Sequence, residues 1–393
     1  MAIDLAPPDG CVERLSILGG AGPLSGTRLA VKDNIEVAGA IFSAGHPAFA
    51  GRRGTATATA VQALLDAGAK LVAMAATDAG GFGVTTPGVH NPCHPGRVVG
   101  GSSGGCAALL AAGQAELGLG TDTGGSIRIP AACTGLWGLK LPHGTVSGNG
   151  LWPMAPGLDS FGLMAADPAL LQPALAALLP ANTPAREPKV RIGVCLGAGW
   201  RRDTVITRLF AEAVERLARQ GVEMVEMPLP DREAIGRCHA TRVLDETLAV
   251  HEGLARDRLA IATQRALGAA ERLTPTDKAN AVEYQKDLTA FLDDQAQQVD
   301  AILSPTLPVM PPKAGQRRVR LGGMSVLSAL TAETCLANLS GRPAISGPAG
   351  LLPLQLTGLG MTVQDLVSTA PSLFDEVKFI PSTAPVSRDE SLT

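Results

Sequence analysis

Residues 100–140 read GGSSGGCAALLAAGQAELGLGTDTGGSIRIPAACTGLWGLK. Two clusters of glycine and hydroxyl residues stand out, GGSSGG at 100–105 and GTDTGGSIRIPA at 120–131. An alanine-rich, helix-favouring segment at 106–117 joins them. A single such cluster is usually a turn. Two of them flanking one apolar segment fit that account poorly, because loops around a buried helix are ordinarily polar or charged. Small residues let a backbone approach a ligand closely and turn several N–H groups toward one point. A hydroxyl among such donors is the raw material of acyl transfer, a nucleophile beside an oxyanion hole.

Other stretches extend the pattern: LAVKDNIEVAG at 29–39, VSGNGLWPMAPGLDSFGLMAADP at 146–168, ILSPTLPVMPP at 302–312 and NLSGRPAISGPAG at 338–350. Together and in this order they resemble the amidase signature family, serine hydrolases that use Ser–Ser–Lys in place of Ser–His–Asp. The resemblance implies one α/β domain with a central mixed β-sheet covered by helices on both faces, here spanning 27–380. It implies Ser126 as nucleophile, Ser102 as a bridging hydroxyl on a cis peptide bond, and Lys32 as base.

Read in order, 1–26 is a short, mostly irregular lead-in, with Pro7, Pro8, Gly10 and a Gly19–Gly20 turn. RLAVKDNIEV at 28–37 predicts a strand that bends at Asp33–Asn34. TATATAVQALLDAG at 55–68 predicts a helix capped by Thr55 or Thr57, and KLVAMAA at 70–76 a buried strand. The loop at 77–99 is glycine-rich and short for the family. PANTPAREP at 180–188 is a candidate boundary between two halves. RIGVCL at 191–196 and VEMVEMP at 222–228 predict strands. Between them, 203–219 predicts a helix with Asp203 as N-cap, Gly221 as stop, and Ile206, Leu209, Phe210, Ala213 and Leu217 on its inner face. Residues 231–298 predict peripheral, solvated helices, AILSP at 301–305 a core strand, and 381–393 a polar tail.

The chemistry follows from hydroxyl and amine placement. A serine hydroxyl is a weak nucleophile until a base removes its proton. The six histidines, His46, His90, His94, His143, His239 and His251, show no nucleophile-elbow context, and no GxSxG surrounds Ser126. The resemblance supplies Lys32 instead, which must be largely neutral. The ordinary lysine pKa is about 10.4, so burial has to lower it by several units. Glycines at 124 and 125 predict a tight fold that aims the N–H groups of Thr123, Gly124, Gly125 and Ser126 at a carbonyl oxygen. Asp122 and Arg128 are read as a pair that holds this loop, and Ser103 as a neighbouring structural hydroxyl.

Composition narrows the rest. Aromatics make up 3% of the 393 residues and the net charge is −3, which offers neither stacking platforms nor a cationic field for nucleic acid or anionic membranes. Seven scattered cysteines without a CxxC pair argue against a disulfide framework or zinc site and fit a reducing cytoplasm. Cys106 and Cys133 read as core residues. No cofactor and no metal are expected. A loose glycine spacing at Gly118, Gly120 and Gly124 evokes a dinucleotide loop, but Pro130 argues against the long helix such a loop needs. The expected activity is hydrolysis of a carbon–nitrogen bond in a small-molecule amide. The alternative is an ammonia-generating glutaminase-type subunit of an amidotransferase complex. A homodimer is left open.

Overall fold

The computed structural model describes residues 9–179, 190–197 and 199–377. The stretch at 180–188 and the tail from 381 lie outside the described residues. In chain order the strands are β1 (Cys11–Ile17), β2 (Arg28–Lys32), β3 (Lys70–Ala75), β4 (Leu117–Asp122), β5 (Trp137–Lys140), β6 (Ser160–Ala165), β7 (Arg191–Val194), β8 (Glu223–Glu226), β9 (Ala301–Pro305), β10 (Ala344–Gly347) and β11 (Leu354–Gly358). The α-helices are α1 (Thr59–Asp66), α2 (Gly104–Ala111), α3 (Arg128–Thr134), α4 (Leu171–Leu178), α5 (Thr204–Arg219), α6 (Arg232–Val250), α7 (Ile261–Ala270), α8 (Pro275–Gln295), α9 (Val326–Thr331), α10 (Cys335–Leu339) and α11 (Val363–Asp375).

The strands form one mixed sheet in the order β1-β3-β2-β4-β6-β5-β10-β11-β9-β7-β8. β2 runs parallel to both β3 and β4, and β7 parallel to both β8 and β9. The other pairs are antiparallel, so the middle of the sheet is antiparallel and its flanks carry the parallel units.

Side chains of a strand alternate between faces. Leu29 and Val31 of β2, Leu117 and Leu119 of β4, and Phe161 and Leu163 of β6 share one core with residues of α1, α4, α5 and α11. The intervening Ala30 and Met164 face the other way, into a core with Cys106, Ala107 and Leu110 of α2. α2 is buried on every side, from Gly104 through Leu110. It fits because β4 carries Gly118 and Gly120 on that face. A Cβ at Gly118 would meet the Cys106 Cβ at 3.3 Å, and one at Gly120 the Ser103 Oγ at 2.8 Å.

α5 forms as its sequence pattern predicts. Asp203 accepts a hydrogen bond from the Val205 N–H, and Ile206, Leu209, Phe210, Ala213 and Leu217 are buried. The four larger of these side chains each contribute about 1.5–3 kcal/mol on burial.

Several expectations need correction. The lead-in is not all irregular: β1 pairs antiparallel with β3 at the sheet edge, with two irregularities in register. Its half-buried, imperfect alternation explains why the pattern was weak. β2 ends at Lys32, ahead of the predicted boundary. α1 starts only at Thr59, with Ala58 as N-cap, because Thr57 Oγ1 accepts from the Ala38 N–H and Thr55 binds Glu36. The joining segment divides into α2 and the start of β4. The helices of 231–298 are not merely peripheral: α6 buries Ile235, Cys238, His239 and Val243.

Candidate active site

Lys32 closes β2 two residues after Ala30, on the face that α2 covers, and is 1% exposed. Its Nζ donates to Ser102 Oγ at 2.9 Å and to Thr121 Oγ1 at 2.8 Å. Asn34 Nδ2 also donates to that threonine oxygen, at 3.2 Å. Among the described residues no carboxylate pairs with the amine. Burial therefore dominates and pulls its pKa down to about 8, against a partial upward pull from the charges of Asp78, Asp159 and Asp122.

Ser102 lies two residues before α2, whose N-cap is Ser103, and the Gly101–Ser102 peptide is cis. Ser102 is 1% exposed and Ser103 fully buried. The first turn of α2 is anchored from the 77–99 loop. Thr86 Oγ1 accepts from the Gly104 N–H at 3.1 Å and donates to Asp78 Oδ2 at 3.0 Å. Ser103 donates from Oγ to the Thr121 carbonyl at 3.4 Å. Its N–H donates to the Ser126 carbonyl at 3.2 Å, which ties the two Gly/Ser clusters together.

The Ser126 loop is organised by Asp122. Arg128 donates to both of its oxygens, at 2.9 and 3.0 Å, with both side chains fully buried. Burial opposes the charge of Asp122, but the Arg128 guanidinium outweighs it and holds the carboxyl well below the usual carboxylate range. The same carboxylate accepts from the Gly125 N–H at 2.8 Å and the Ile127 N–H at 3.2 Å. This corrects one expectation. The Gly125 N–H, expected to face a carbonyl oxygen with those of Thr123, Gly124 and Ser126, is committed to Asp122.

The structure thus joins Lys32 to Ser102 by a hydrogen bond and sets Ser126 beside Ser103. It shows no hydrogen bond between the Ser102 and Ser126 hydroxyls among the described residues. Ser126 is 7% exposed. Cys106 and Cys133 are buried in the core, and burial pushes both thiols up to about 12.

Four further residues shape the loop without having been singled out from sequence. Asn338 Nδ2 donates to the Asp122 carbonyl at 2.8 Å and Thr334 Oγ1 to the Gly124 carbonyl at 2.6 Å. His239 Nε2 bonds the Thr123 carbonyl at 2.8 Å. Asp159 accepts from Thr123 Oγ1 at 2.5 Å, and burial raises its carboxyl to about 6. Asn338 and Asp159 fall inside stretches quoted above. Nothing in the local spacing marks His239 or Thr334.

A family model described as Amidase matches residues 15–365. The chain belongs to this amidase family. Among its relatives is a glutamyl-tRNA(Gln) amidotransferase subunit of Natronomonas pharaonis, 32% identical over 380 residues, covering 84% of this chain and 89% of that protein. Amidase 1 of Oryza sativa subsp. japonica is 40% identical over 165 residues, 40% of this chain and 38% of that one. A crystal structure of an amidase superposes with a TM-score of 0.82 at 29% identity, covering 90% of this chain and 84% of that one. The like-named glutamyl-tRNA(Gln) amidotransferase subunit of Thermotoga maritima gives 0.75 at 26% identity, covering 91% and 85%. The amidase fold of this chain is therefore a single α/β domain around a large mixed sheet. Among the described residues, no helix is long and apolar enough to cross a membrane.

Proposed function

We propose that this amidase-family protein hydrolyses the carbon–nitrogen bond of a small-molecule amide through an acyl-enzyme on Ser126. Neutral Lys32 takes the proton of Ser102, which takes that of Ser126, and the Ser126 oxygen bonds to the amide carbon. The proton returns along the same path to the leaving nitrogen as the C–N bond breaks, releasing ammonia or an amine. Water, deprotonated by the same relay, then cleaves the ester and frees the carboxylate. The observation that carries this reading is the buried Lys32 bonded to Ser102, with the Ser126 backbone bonded to the next residue. An apo site commonly holds its catalytic hydrogen bonds long until substrate arrives.

The test is covalent labelling by an alkyl fluorophosphonate, followed by mass spectrometry. Wild type should carry one adduct on Ser126, S126A none, and K32M and S102A should react far more slowly. Adduct formation on S126A at the wild-type rate refutes the reading. A panel of amides scored for ammonia release then gives the substrate class.

A second reading, the ammonia-generating subunit of an amidotransferase, is supported by the relatives named as amidotransferase subunits at 31–32% identity across most of this chain. Both readings share the acyl-enzyme and differ in where the ammonia goes. Glutamine turnover that depends on a co-purifying partner favours the second. Turnover of simple amides by the isolated chain favours the first.

A further inference from the structure

The loop from Asp122 to Ser126 is gripped by side chains far away in sequence, and the grip has a direction. In a planar trans peptide the C=O of one residue and the N–H of the next point opposite ways. Each held carbonyl therefore aims the N–H that follows it. Thr334 holds the Gly124 carbonyl, and the Gly125 N–H accordingly points to Asp122 Oδ1. The Gly125 carbonyl accepts from the Ile129 N–H at 2.7 Å, which turns the Ser126 N–H the other way. His239 holds the Thr123 carbonyl at 2.8 Å, which turns the Gly124 N–H away from α6. Among the described residues neither the Gly124 nor the Ser126 N–H has an acceptor.

We propose that His239 is a positioning residue for acyl transfer: by holding the Thr123 carbonyl it aims the Gly124 N–H, together with that of Ser126, at the oxygen of the substrate carbonyl. The inference rests on Ser126 being the nucleophile. A carbonyl oxygen can only accept, so His239 carries its proton on Nε2. Burial lowers the pKa of the imidazole, which keeps that single-proton form at neutral pH. The ring lies against the loop closely enough to require a glycine, since a Cβ on Gly124 would stand 2.6 Å from His239 Cε1.

The experiment uses the full chain and the fluorophosphonate probe, whose phosphoryl oxygen stands where the substrate carbonyl oxygen would. Labelling is followed against probe concentration for wild type, H239Q, H239N and H239L, with S126A as control and circular dichroism to confirm folding. Glutamine can present an amide N–H where His239 has Nε2, whereas asparagine is one atom short. H239Q is expected within about threefold of wild type. H239N and H239L should lose about 10- to 100-fold in maximal labelling rate, with the half-saturating probe concentration unchanged. If H239L does not fold, the polar H239N makes the same comparison. Folded H239L or H239N reacting at the wild-type rate, or H239Q as slow as H239L, overturns the inference. Loss of the adduct in S126A keeps this outcome separate from failure of the nucleophile assignment.

Discussion

The strongest quantitative consequence of the site concerns the titration of Lys32. Burial brings its pKa from 10.5 to about 8. On the reading proposed above the neutral amine is the base, so about a tenth of the protein would be competent at pH 7 and about nine tenths at pH 9. Labelling of Ser126 by fluorophosphonate should therefore rise about tenfold across that interval and then level off. Stability should move in the same sense. Between the folded and unfolded pKa values the unfolded chain binds more protons at this site than the native one, so stability rises with pH there. Set against K32M, the wild type should gain about 1–2 kcal/mol from pH 7 to pH 9. The two proteins share every other titrating group, so the pH dependence of their difference reports this amine. Urea unfolding of both proteins at several pH values measures the gain. A labelling profile flat from pH 6 to 10, or a wild-type-to-K32M difference that does not change with pH, would show that the amine does not titrate in this range and that another group is the base.

Other predictions concern the supports of the site. In T121V the Lys32 ammonium loses an oxygen acceptor, which disfavours its charged form. The rising limb of the labelling profile should then move to lower pH, and a shift to higher pH would contradict the assigned bond. D122N leaves Arg128 charged and fully buried without its counter-ion, and should cost about 3–5 kcal/mol by urea unfolding. A loss under about 1 kcal/mol would mean that the pair is not buried as described. G120A would put a Cβ 2.8 Å from Ser103 Oγ and 2.9 Å from Ile127 Cδ1, and should cost about 1–3 kcal/mol and slow labelling. An unchanged melting temperature would show that α2 can retreat from the sheet without penalty.

Much of the candidate site was legible because its residues sit in short, contiguous motifs. Lys32 ends an alternating strand, Ser102 and Ser103 open a helix made of small residues, and Asp122, Ser126 and Arg128 lie within seven residues of one another. Local pattern reports such things well, as it did the inner face of α5. Other features were hidden for a physical reason. β1 is an edge strand whose side chains are mostly half-buried or exposed, so it lacks the strict alternation that marks a strand with one buried face. α6 reads as a charged surface helix because much of its circumference is solvated, yet one of its residues, His239, is buried against the Thr123–Ser126 loop. The bonds from Asn338, Thr334 and His239 to that loop span 216, 210 and 116 residues of chain. No periodicity carries contacts of that range.

The glycines of the two clusters tie the packing to the chemistry. From composition they read as freedom for the backbone to approach a ligand. In the folded chain most of that closeness is spent on the protein. A Cβ at Gly100 would stand 2.5 Å from the Pro130 Cα, one at Gly120 2.8 Å from Ser103 Oγ, and one at Gly125 2.3 Å from Thr334 Oγ1. Only Gly100 and Gly125 of these three also need a positive φ, of 86° and 124°. The two clusters are thus mutual packing surfaces, pressed together until the Ser103 N–H reaches the Ser126 carbonyl. That contact brings Ser102, and through it Lys32, up to the Ser126 loop. Density of small residues and placement of the hydroxyls have one cause: strand, helix and loop must approach to backbone distance before hydroxyls on such short side chains can come near one another. A bulkier residue at any of these positions should damage stability and labelling together, whereas a change confined to a hydroxyl, such as S102A, should damage labelling alone.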